Sequence, residues 1–382
     1  TKLTNISELG EYFTFTPSKN KPIYNWFFYK EAFSPEIVEY FFKKFEITNS
    51  FVVDPFCGVG TTLLCSKSHN ISSYGCDASP LAVFVSKVKT EEYTKEDIDE
   101  LSALSKKIGQ TPLQNELKWT PELFNPSKIF PNSSLNFILR ARENISYIEN
   151  SKHKNFFLLA LLSIIPQCSL LIKDGGVLKF DKRKSAFPAK IAFKRKIKKM
   201  ISNLSKNSIT GSVPKIELGD ARNLSVPDNS ADSIITSPPY LNNIDYTKIY
   251  GLELSLLSLD EHSVHSARAG SLQSFHSSKQ EVEKIPKEVE EFGIKYPLIG
   301  AYFSDMEKVF LESYRVLKKG SSAAFIVGNS IMYETHILTD EILAEIAERI
   351  GFETEIITSL KRYASVKTKI ETRESAVVLK KN

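Results

Sequence analysis

The sequence predicts an α/β fold in which helices cover both faces of a mostly parallel sheet. Three observations support this fold class: short apolar runs alternate with segments of helical periodicity, glycine turns follow the first run, and the last two apolar runs have no helix between them. Strands that alternate with helices pair in parallel, whereas two strands without an intervening helix pair antiparallel. The sheet is therefore expected to be mixed.

The first βαβ unit begins at "SFVVDPF" (50–56), a short apolar run that ends in Asp-Pro. Gly58 and Gly60 follow, then "TTLLCSKSH" with helical spacing, and "SSYGCDASPLAVFVSKV" (72–88) repeats the order of strand, turn and helix. Glycines between a strand and a helix let the backbone approach a ligand at the carboxyl edge of a sheet. We therefore expect this turn to bind a nucleoside.

The second half of the chain continues the alternation. In order, it contains two strands, an amphipathic helix, a strand, a helix and two closing strands: "KIELGDARNL" (215–224), "ADSIITSPPY" (231–240), "YFSDMEKVFLESYRVL" (302–317), "SAAFIVGN" (322–329), "DEILAEIAERI" (340–350), "FETEIITSL" (352–360) and "ESAVVLKK" (374–381). The two prolines after the second of these strands fix the backbone in an extended shape. Rigid loops at strand ends are common positions for functional sites.

Two stretches interrupt this pattern. Residues 91–210 are mostly helical in pattern and end in "KFDKRKSAFPAKIAFKRKIKKM" (179–200), which carries ten Lys or Arg and one Asp. A helix from Ala189 would place an apolar stripe on one side, formed by Phe193, Ile197, Met200 or Ile201, and Leu204, with Lys194, Arg195 and Lys198 on the opposite side. The second stretch, near 258–297, is polar and Ser-rich and predicts a mobile loop.

The chain has 382 residues, of which 42% are hydrophobic and 25% are charged. This composition is typical of a soluble globular protein. A net charge of +5 permits a polyanionic partner without requiring one. The four cysteines are Cys57, Cys65, Cys76 and Cys168, and they form no CxxC pair. We therefore expect neither a metal site nor a disulfide framework. A reducing cytoplasm is the expected compartment. The longest apolar run is interrupted by Pro166 and Gln167, so we do not expect it to span a membrane. No secretory signal is expected either.

Three carboxylates end the predicted strands of the nucleoside site. Asp54 opens the glycine turn and suits an ammonium group, Asp77 suits both hydroxyls of a ribose, and Asp220 suits the exocyclic amine of adenine. A phosphate-binding loop is disfavoured because Gly60 is followed by two threonines, and a dinucleotide fingerprint because Leu63 stands where the third glycine belongs. Ammonium, ribose and adenine together describe S-adenosylmethionine.

The pair "DPFCGVGTT" and "TSPPY" closely resembles the amino-group DNA methyltransferases, which methylate the exocyclic nitrogen of cytosine or adenine. "PIYNWFFYKEAFSPEIVEYFF" (22–42) looks like the methionine-side cofactor motif of that family, and residues 240–257 also look like family sequence. The resemblance implies the Rossmann-like, seven-stranded mixed sheet of class I methyltransferases with a helical insertion.

Under this resemblance the methyltransferase domain is split. Its first part, with the cofactor motifs, spans 1–90, the helical and basic insertion spans 91–210 and is a candidate region for target recognition or DNA binding, and the second part, with the catalytic motif, spans 211–382. The residues that the resemblance assigns to S-adenosylmethionine are Phe33, Asp54, Pro55, Phe56, Cys57, Gly58, Gly60, Thr61, Thr62, Asp77, Ala78, Asp220 and Ala221.

The catalytic motif is expected to act on an amine whose lone pair is delocalised into its ring. The Ser237 hydroxyl and the Pro238 carbonyl would accept hydrogen bonds from that amine, Tyr240 would stack on the flipped base, and Pro239 would help to hold these groups still. Methylation at cytosine C5 is excluded, because Pro239 occupies the position of that family's nucleophilic cysteine. In the amino-group family a serine at the first motif position is typical of cytosine N4 enzymes, and Asp or Asn of adenine N6 enzymes.

The resemblance therefore implies an enzyme that methylates the N4 amine of a flipped cytosine, in a restriction-modification or related system, with double-stranded DNA as partner. A cognate restriction endonuclease would act separately, and no membrane or metal is involved. The alternatives are an adenine N6 enzyme, a tRNA guanine N2 methyltransferase, and a DNA-binding module with an inactive cofactor fold. Expected DNA contacts are Lys194, Arg195, Lys198, Tyr246, Tyr250 and Arg268.

Overall fold

The structure is a computed structural model that describes residues 1–112, 117–174, 176–207, 209–242, 244–258, 271–274, 282, 284–363 and 371–382. The strands are β1 Lys2–Asn5, β2 Phe51–Asp54, β3 Ser72–Asp77, β4 Leu171–Asp174, β5 Val177–Phe180, β6 Lys215–Leu218, β7 Ala231–Thr236, β8 Leu317–Gly328, β9 Ser330–Met332, β10 Thr335–Ile337, β11 Phe352–Tyr363 and β12 Glu371–Lys381.

The helices are α1 Pro35–Lys44, α2 Thr61–Ser68, α3 Pro80–Thr90, α4 Lys95–Leu104, α5 Pro126–Ile129, α6 Asn132–Ser146, α7 Ser151–Cys168, α8 Ala189–Lys206, α9 Tyr246–Ile249, α10 Gly251–Ser258, α11 Glu290–Lys295, α12 Pro297–Val316 and α13 Thr339–Ile350. Short 3₁₀ turns cover Ser7–Phe13, Pro17–Asn20, Tyr24–Trp26 and Lys287–Val289. None of the described helices has both the length and the apolarity that a membrane crossing requires.

The central sheet has the order β1-β11-β12-β8-β7-β2-β3-β6. Its strands pair in parallel except for β12, which runs antiparallel to both β11 and β8. This confirms the predicted α/β class and the antiparallel closing strand. The sheet has eight strands among the described residues instead of the predicted seven, because Lys2–Asn5 pairs with Glu355–Thr358 at the edge. Strand β1 has only four residues, most of them polar, so its sequence does not predict a strand. Its pairing with β11 in the structure is what identifies it as the eighth strand.

Two helical layers cover the sheet. On one face α1 packs against the sheet through residues such as Phe41, which shares a core with Ile235 and Ile326. On the other face α12 and α13 bury a larger apolar set, which includes Phe310 and Phe325 with ring centroids 4.9 Å apart. Because both faces are covered, most residues of the central strands β2 and β7 are buried, as expected for parallel sheets.

The insertion between β3 and β6 has its own apolar core, centred on α7. Helix α8 contributes the predicted stripe, since Phe193, Ile197, Met200 and Leu204 are buried, whereas Ile201 is half-buried. Residues from outside the insertion also enter this core. The side-chain oxygen of Asn203 accepts a hydrogen bond from the Trp26 indole at 3.1 Å, and helix α10 packs against α7.

The prediction of a polar loop near 258–297 is wrong for its C-terminal residues. Residues 287–295 form a 3₁₀ turn followed by α11, and Pro297 starts α12. Proline is well placed at the first turn of a helix, where its missing N–H has no intrahelical partner. Residues 259–270, 275–281 and 283 of that segment lie outside the described residues, as does Arg268.

Candidate active site

The carboxyl ends of β2, β3, β6 and β7 surround one cavity with a volume of about 300 Å³. Parallel strands end at the same edge of a sheet, and the loops that leave them therefore converge there. Most of the residues assigned from sequence line this cavity: Phe33, Pro55, Phe56, Cys57, Gly58, Thr61, Asp77, Ala78, Asp220, Ala221, Ser237, Pro238, Pro239, Tyr240, Tyr246 and Tyr250. The fold thus brings the cofactor motifs and the catalytic motif to one place.

The glycine turn after β2 forms the floor of the cavity. Gly58 and Gly60 have φ of +48° and +78°, in the left-handed region that favours glycine. A Cβ at Gly60 would also lie 2.9 Å from the Ser86 hydroxyl, so α3 passes directly against the turn. The Ser86 hydroxyl donates to the Gly58 carbonyl at 2.7 Å and holds the turn in this shape.

Asp77 occupies the end of β3 and organises two loops. Its carboxylate accepts hydrogen bonds from the Gly58 N–H at 2.9 Å and the Ser79 N–H at 2.8 Å. Burial raises the pKa of Asp77, while these two N–H groups lower it. An ionised carboxylate has about four acceptor positions, so two remain for a ligand's hydroxyl groups.

Asp220 lies beyond β6 in a charged network that the sequence did not reveal. Arg222 donates to both oxygens of Asp220, at 2.7 Å from Nη2 to Oδ2, and its Nη1 donates to Asp305 at 2.8 Å. Asp305 also accepts from the Gln273 N–H at 3.0 Å. Arg222 therefore fixes the Asp220 carboxylate and links it to residues 271–274, of which Ser271 and Leu272 line the cavity.

Asp54 does not line the cavity, which corrects the geometry expected from sequence. Its side chain is 1% exposed, and it accepts hydrogen bonds from the Thr236 hydroxyl at 2.6 Å and the Phe56 N–H at 3.2 Å. Gly60 and Thr62 also lie below the lining. The Thr62 hydroxyl donates to the Ile235 carbonyl at 3.1 Å. These residues support the turn from beneath and tie β2 to β7.

The catalytic motif lies across the end of β8. The Ser237 hydroxyl donates to the Ile326 carbonyl at 3.0 Å, so its proton is engaged and its oxygen keeps acceptor positions. The Tyr240 ring packs directly on Gly328, where a Cβ would lie 2.9 Å from two ring carbons. A glycine at 328 is therefore what allows the tyrosine ring to lie against the strand.

The two tyrosines expected to contact DNA are largely enclosed. Tyr250 is 3% exposed, its hydroxyl donates to Glu31 at 2.7 Å, and its ring stacks on Tyr29 with centroids 4.6 Å apart. Tyr246 is half-buried, and burial raises its pKa. The Lys173 ammonium also lies over the Tyr250 ring, 3.6 Å from its centroid. The prediction that Tyr250 contacts DNA is therefore wrong, because its ring and its hydroxyl already have partners within the protein.

Sequence reasoning missed Glu374, a carboxylate that lines the cavity and is 9% exposed. It lies on β12 directly opposite Gly328 of β8. Opposite residues of an antiparallel pair share a face, with Cβ atoms about 4.5–5.5 Å apart. Glu374 therefore lies beside the Tyr240 ring. Glu374 is 134 residues from Tyr240 in the sequence, and the pairing of β12 with β8 brings the two together.

Among the described residues, no cluster of three His, Cys, Asp or Glu side chains could hold a metal ion. The four cysteines are buried free thiols. The basic residues Lys194, Arg195 and Lys198 are exposed on α8, on the side opposite its buried stripe.

Comparison with known proteins identifies the family. No family model matches the chain. The chain is 31% identical over 404 residues to the type II methyltransferase M.AvaI of Nostoc sp., an alignment that covers 91% of this chain and 82% of that protein. It is 26% identical over 434 residues to the type II methyltransferase M.BsoBI of Geobacillus stearothermophilus, with the same coverage of 91% and 82%.

The chain belongs to the type II DNA methyltransferases. Its cofactor is S-adenosylmethionine, as the cavity and the family both indicate. Among solved structures, the methyltransferase aligns with an S-adenosylmethionine-dependent methyltransferase of Methanosarcina mazei at a TM-score of 0.33 and 10% identity, covering 89% of this chain and 96% of that one. A TM-score of that size adds nothing to the assignment.

The buried Asp54 gives the methyltransferase a testable pH dependence. Burial raises the pKa of Asp54 from 3.8 to about 7, and the charge of Asp77 adds to the rise. Between these values the folded chain keeps a proton that the unfolded chain has lost, so the free energy of unfolding falls as pH rises through that window. The variant Asp54→Asn cannot titrate there. We expect its stability relative to the unmodified protein to increase from pH 4 to pH 7 and then to level off.

Denaturant unfolding at several pH values measures this difference. The variant Asp99→Asn, at an exposed carboxylate, is measured in parallel as the control for the loss of one carboxylate. A stability difference between Asp54→Asn and the unmodified protein that stays constant from pH 4 to pH 8 would contradict the buried carboxyl.

Proposed function

We propose that the methyltransferase modifies the N4 amine of a cytosine flipped out of double-stranded DNA, as the modification enzyme of a restriction-modification system. The observation that carries the proposal is the Ser237 hydroxyl, which donates to the Ile326 carbonyl and so presents an oxygen as acceptor in the cavity. Serine at this motif position is typical of cytosine N4 enzymes in the amino-group family. The type II relatives support a role in modification.

The residues of the cavity fit S-adenosylmethionine, which supplies an electrophilic methyl group on a sulfonium when bound. Asp77 has acceptor positions for the two ribose hydroxyls beyond its two backbone bonds. Asp220, held by Arg222, is an acceptor for the adenine amine. Since Asp54 is buried, we assign the amino acid end to Lys30 and Glu31, which line the cavity and carry the opposite charges that a zwitterion needs.

The target amine must be held so that its lone pair is available. Conjugation with the ring makes it a poor nucleophile, and acceptors for both of its N–H bonds favour a localised lone pair. The Ser237 oxygen and the Pro238 carbonyl are those acceptors in our proposal. Both residues line the cavity, and the two consecutive prolines restrict the backbone that carries them.

The base is positioned by stacking. Only an extruded base reaches a cavity at the edge of the sheet, because the amine of a paired base is inside the duplex. Tyr240 offers a ring whose position is fixed from one side by Gly328. Stacking of a base on an aromatic side chain contributes about 1–3 kcal/mol.

The reaction also requires an acceptor for one proton. When the amine nitrogen has gained the methyl group, it carries one proton more than the neutral product, and that proton must leave. Glu374 is the carboxylate that lies beside Tyr240, and we assign this step to it. A proton acceptor in this position need not be a strong base, because the methylated amine is a strong acid as long as it carries the additional proton.

The basic face of α8 is assigned to DNA phosphates. Lys194, Arg195 and Lys198 are exposed there, which suits a sequence-independent and salt-sensitive contact. Not every cation of the stretch 179–200 takes part. The ammonium of Lys196 donates to the Asn25 carbonyl at 3.2 Å, and burial lowers the pKa of Lys196 to about 7.

The nature of the methylated product tests the proposed function. Purified protein is incubated with S-adenosylmethionine labelled in its methyl group and, in parallel reactions, with mixed-sequence duplex DNA or with tRNA, and each nucleic acid is digested to nucleosides. We expect the label in the deoxynucleoside of N4-methylcytosine. Label in N6-methyladenine would move the proposal to the adenine alternative, and label only in tRNA would overturn the DNA substrate.

A substitution of Tyr240 tests the position of the base. Tyr240→Ala removes the stacking ring, so we expect kcat/KM for DNA to fall about 5- to 150-fold, in line with a loss of about 1–3 kcal/mol. Tyr240→Phe keeps the ring and should retain most of the activity. The affinity for S-adenosylhomocysteine, measured by calorimetry, should be the same in both variants.

The matched control is Tyr147→Ala, since Tyr147 is 53% exposed and lies outside the cavity. An equal loss of activity in this control would show a general effect on folding. Full activity of Tyr240→Ala would remove the tyrosine from the site.

A further inference from the structure

A β-hairpin of the insertion lies against the cavity. It consists of β4 and β5, which pair antiparallel with Leu171 opposite Phe180 and Asp174 opposite Val177. The hairpin forms its own two-stranded sheet, separate from the central sheet. Isolated hairpins are marginally stable in water, so its position depends on the contacts that anchor it to the rest of the protein.

One face of the hairpin packs on the segment that follows the catalytic motif. Lys173 and Leu178 are opposite each other and therefore share this face. The Lys173 ammonium lies over the Tyr250 ring, 3.6 Å from its centroid. Leu178 borders a narrow cleft that Thr247 and Leu252 also line. The packed face thus holds the hairpin on α9 and α10.

The start of β5 is next to the wall of the cavity. Gly176 packs on Ile244 so closely that a Cβ at 176 would lie 3.0 Å from the Ile244 side chain. Ile244 itself lines the cavity. Val177, the first residue of β5, therefore directly follows a residue that packs on the cavity wall.

The other face of the hairpin is open. Asp174, Val177 and Lys179 lie on it by the alternation of the strands, and all three are exposed. Val177 is 49% exposed, and Asp174 and Lys179 form an ion pair at 2.7 Å. Val177 thus presents an exposed apolar side chain close to the cavity that we assign to the base.

Cations continue from this hairpin along the chain. Lys182 and Arg183 are exposed directly after β5, and the exposed face of α8 follows. Asp174 and Asp181 pair with Lys179 and Arg183, so the surface next to the cavity is apolar at Val177 and carries an excess of positive charge beyond it. This combination suits a nucleic acid duplex, whose stacked bases are apolar and whose phosphates are negative.

We propose that duplex DNA docks on the open face of this hairpin and that Val177 enters the base stack as a wedge at the position that the flipped base leaves. The inference rests on the proposed function, because it assumes a flipped target base. A two-stranded ribbon fits a DNA groove, and apolar side chains are the usual wedges between base steps. The wedge fills the gap and so favours the extruded state of the base.

The test uses a base pair that is already weakened. Extrusion of a mismatched base costs less than that of a paired base, so a wedge matters less there. We expect Val177→Ser to lower the single-turnover rate of methyl transfer on a fully paired target on the order of tenfold, about 1.4 kcal/mol. On the same duplex with a mismatch opposite the target base, the variant and the unmodified protein should differ by less than about twofold.

The control variant is Val213→Ser. Val213 is 52% exposed, similar to Val177, but it precedes β6 and therefore lies at the opposite edge of the sheet from the cavity. It should keep the rate of the unmodified protein on both duplexes. A second readout is fluorescence of 2-aminopurine at the target position, which rises on extrusion and should rise less with Val177→Ser.

The outcomes separate the two proposals. If the unmodified protein methylates paired DNA and Val177→Ser does so at the same rate, the wedge is overturned and the proposed function stands. If Val177→Ser is equally slow on paired and mismatched targets, Val177 does not act in extrusion and the wedge is overturned as well. If the unmodified protein methylates no DNA, the proposed function fails, and the wedge fails with it.

Discussion

The parallel alignment of β7, β2, β3 and β6 is the constraint on which the site depends. Asp54 is in register with Gly75, and Asp77 with Leu218, so these strands end close to one line. The glycine turn, Asp77, Asp220 and the catalytic motif all lie at or directly after the ends of these strands. Residues separated by about 180 positions, such as Asp54 and Thr236, thereby come within hydrogen-bond distance. The cavity is a consequence of this alignment and of the loops that diverge from it.

The sequence predicted the elements of this edge because local patterns encode them. Alternation of apolar runs with helical periodicity indicated the sheet, and the glycines at 58 and 60 indicated the turn that their positive φ angles require. The catalytic motif was recognisable because its two prolines and its tyrosine are contiguous. The apolar stripe of α8 followed from helical spacing alone.

The remaining features depend on contacts between distant segments. Nothing near Asp54 in the sequence indicates that Thr236 and the Phe56 N–H enclose its carboxylate. Glu374 reaches the cavity only through its pairing with Gly328, and Arg222 is tied to Asp305 through α12. The β4–β5 hairpin was missed because strands of four residues next to a long helix carry little periodic signal.

The methyltransferase divides its work between two parts that share a core. The sheet edge holds the groups that we assign to chemistry, and the insertion carries the hairpin and the basic face of α8, which we assign to DNA. Asn203 of α8 anchors the insertion to the residues around Trp26. The Tyr250 hydroxyl donates to Glu31 at 2.7 Å, and the Lys173 ammonium of the insertion lies over the same tyrosine ring. Contacts of this kind fix the distance between the groups that we assign to the cofactor and those that we assign to DNA.

A crystal structure of the protein with sinefungin, an unreactive analogue of S-adenosylmethionine, would show whether one cavity serves both the cofactor and the base. We expect the ribose hydroxyls on Asp77, the adenine amine on Asp220, and the amine that replaces the methyl group directed toward Ser237 and Tyr240. An analogue bound with its ribose away from Asp77, or with its reactive end away from the catalytic motif, would contradict a single cavity that serves both cofactor and base.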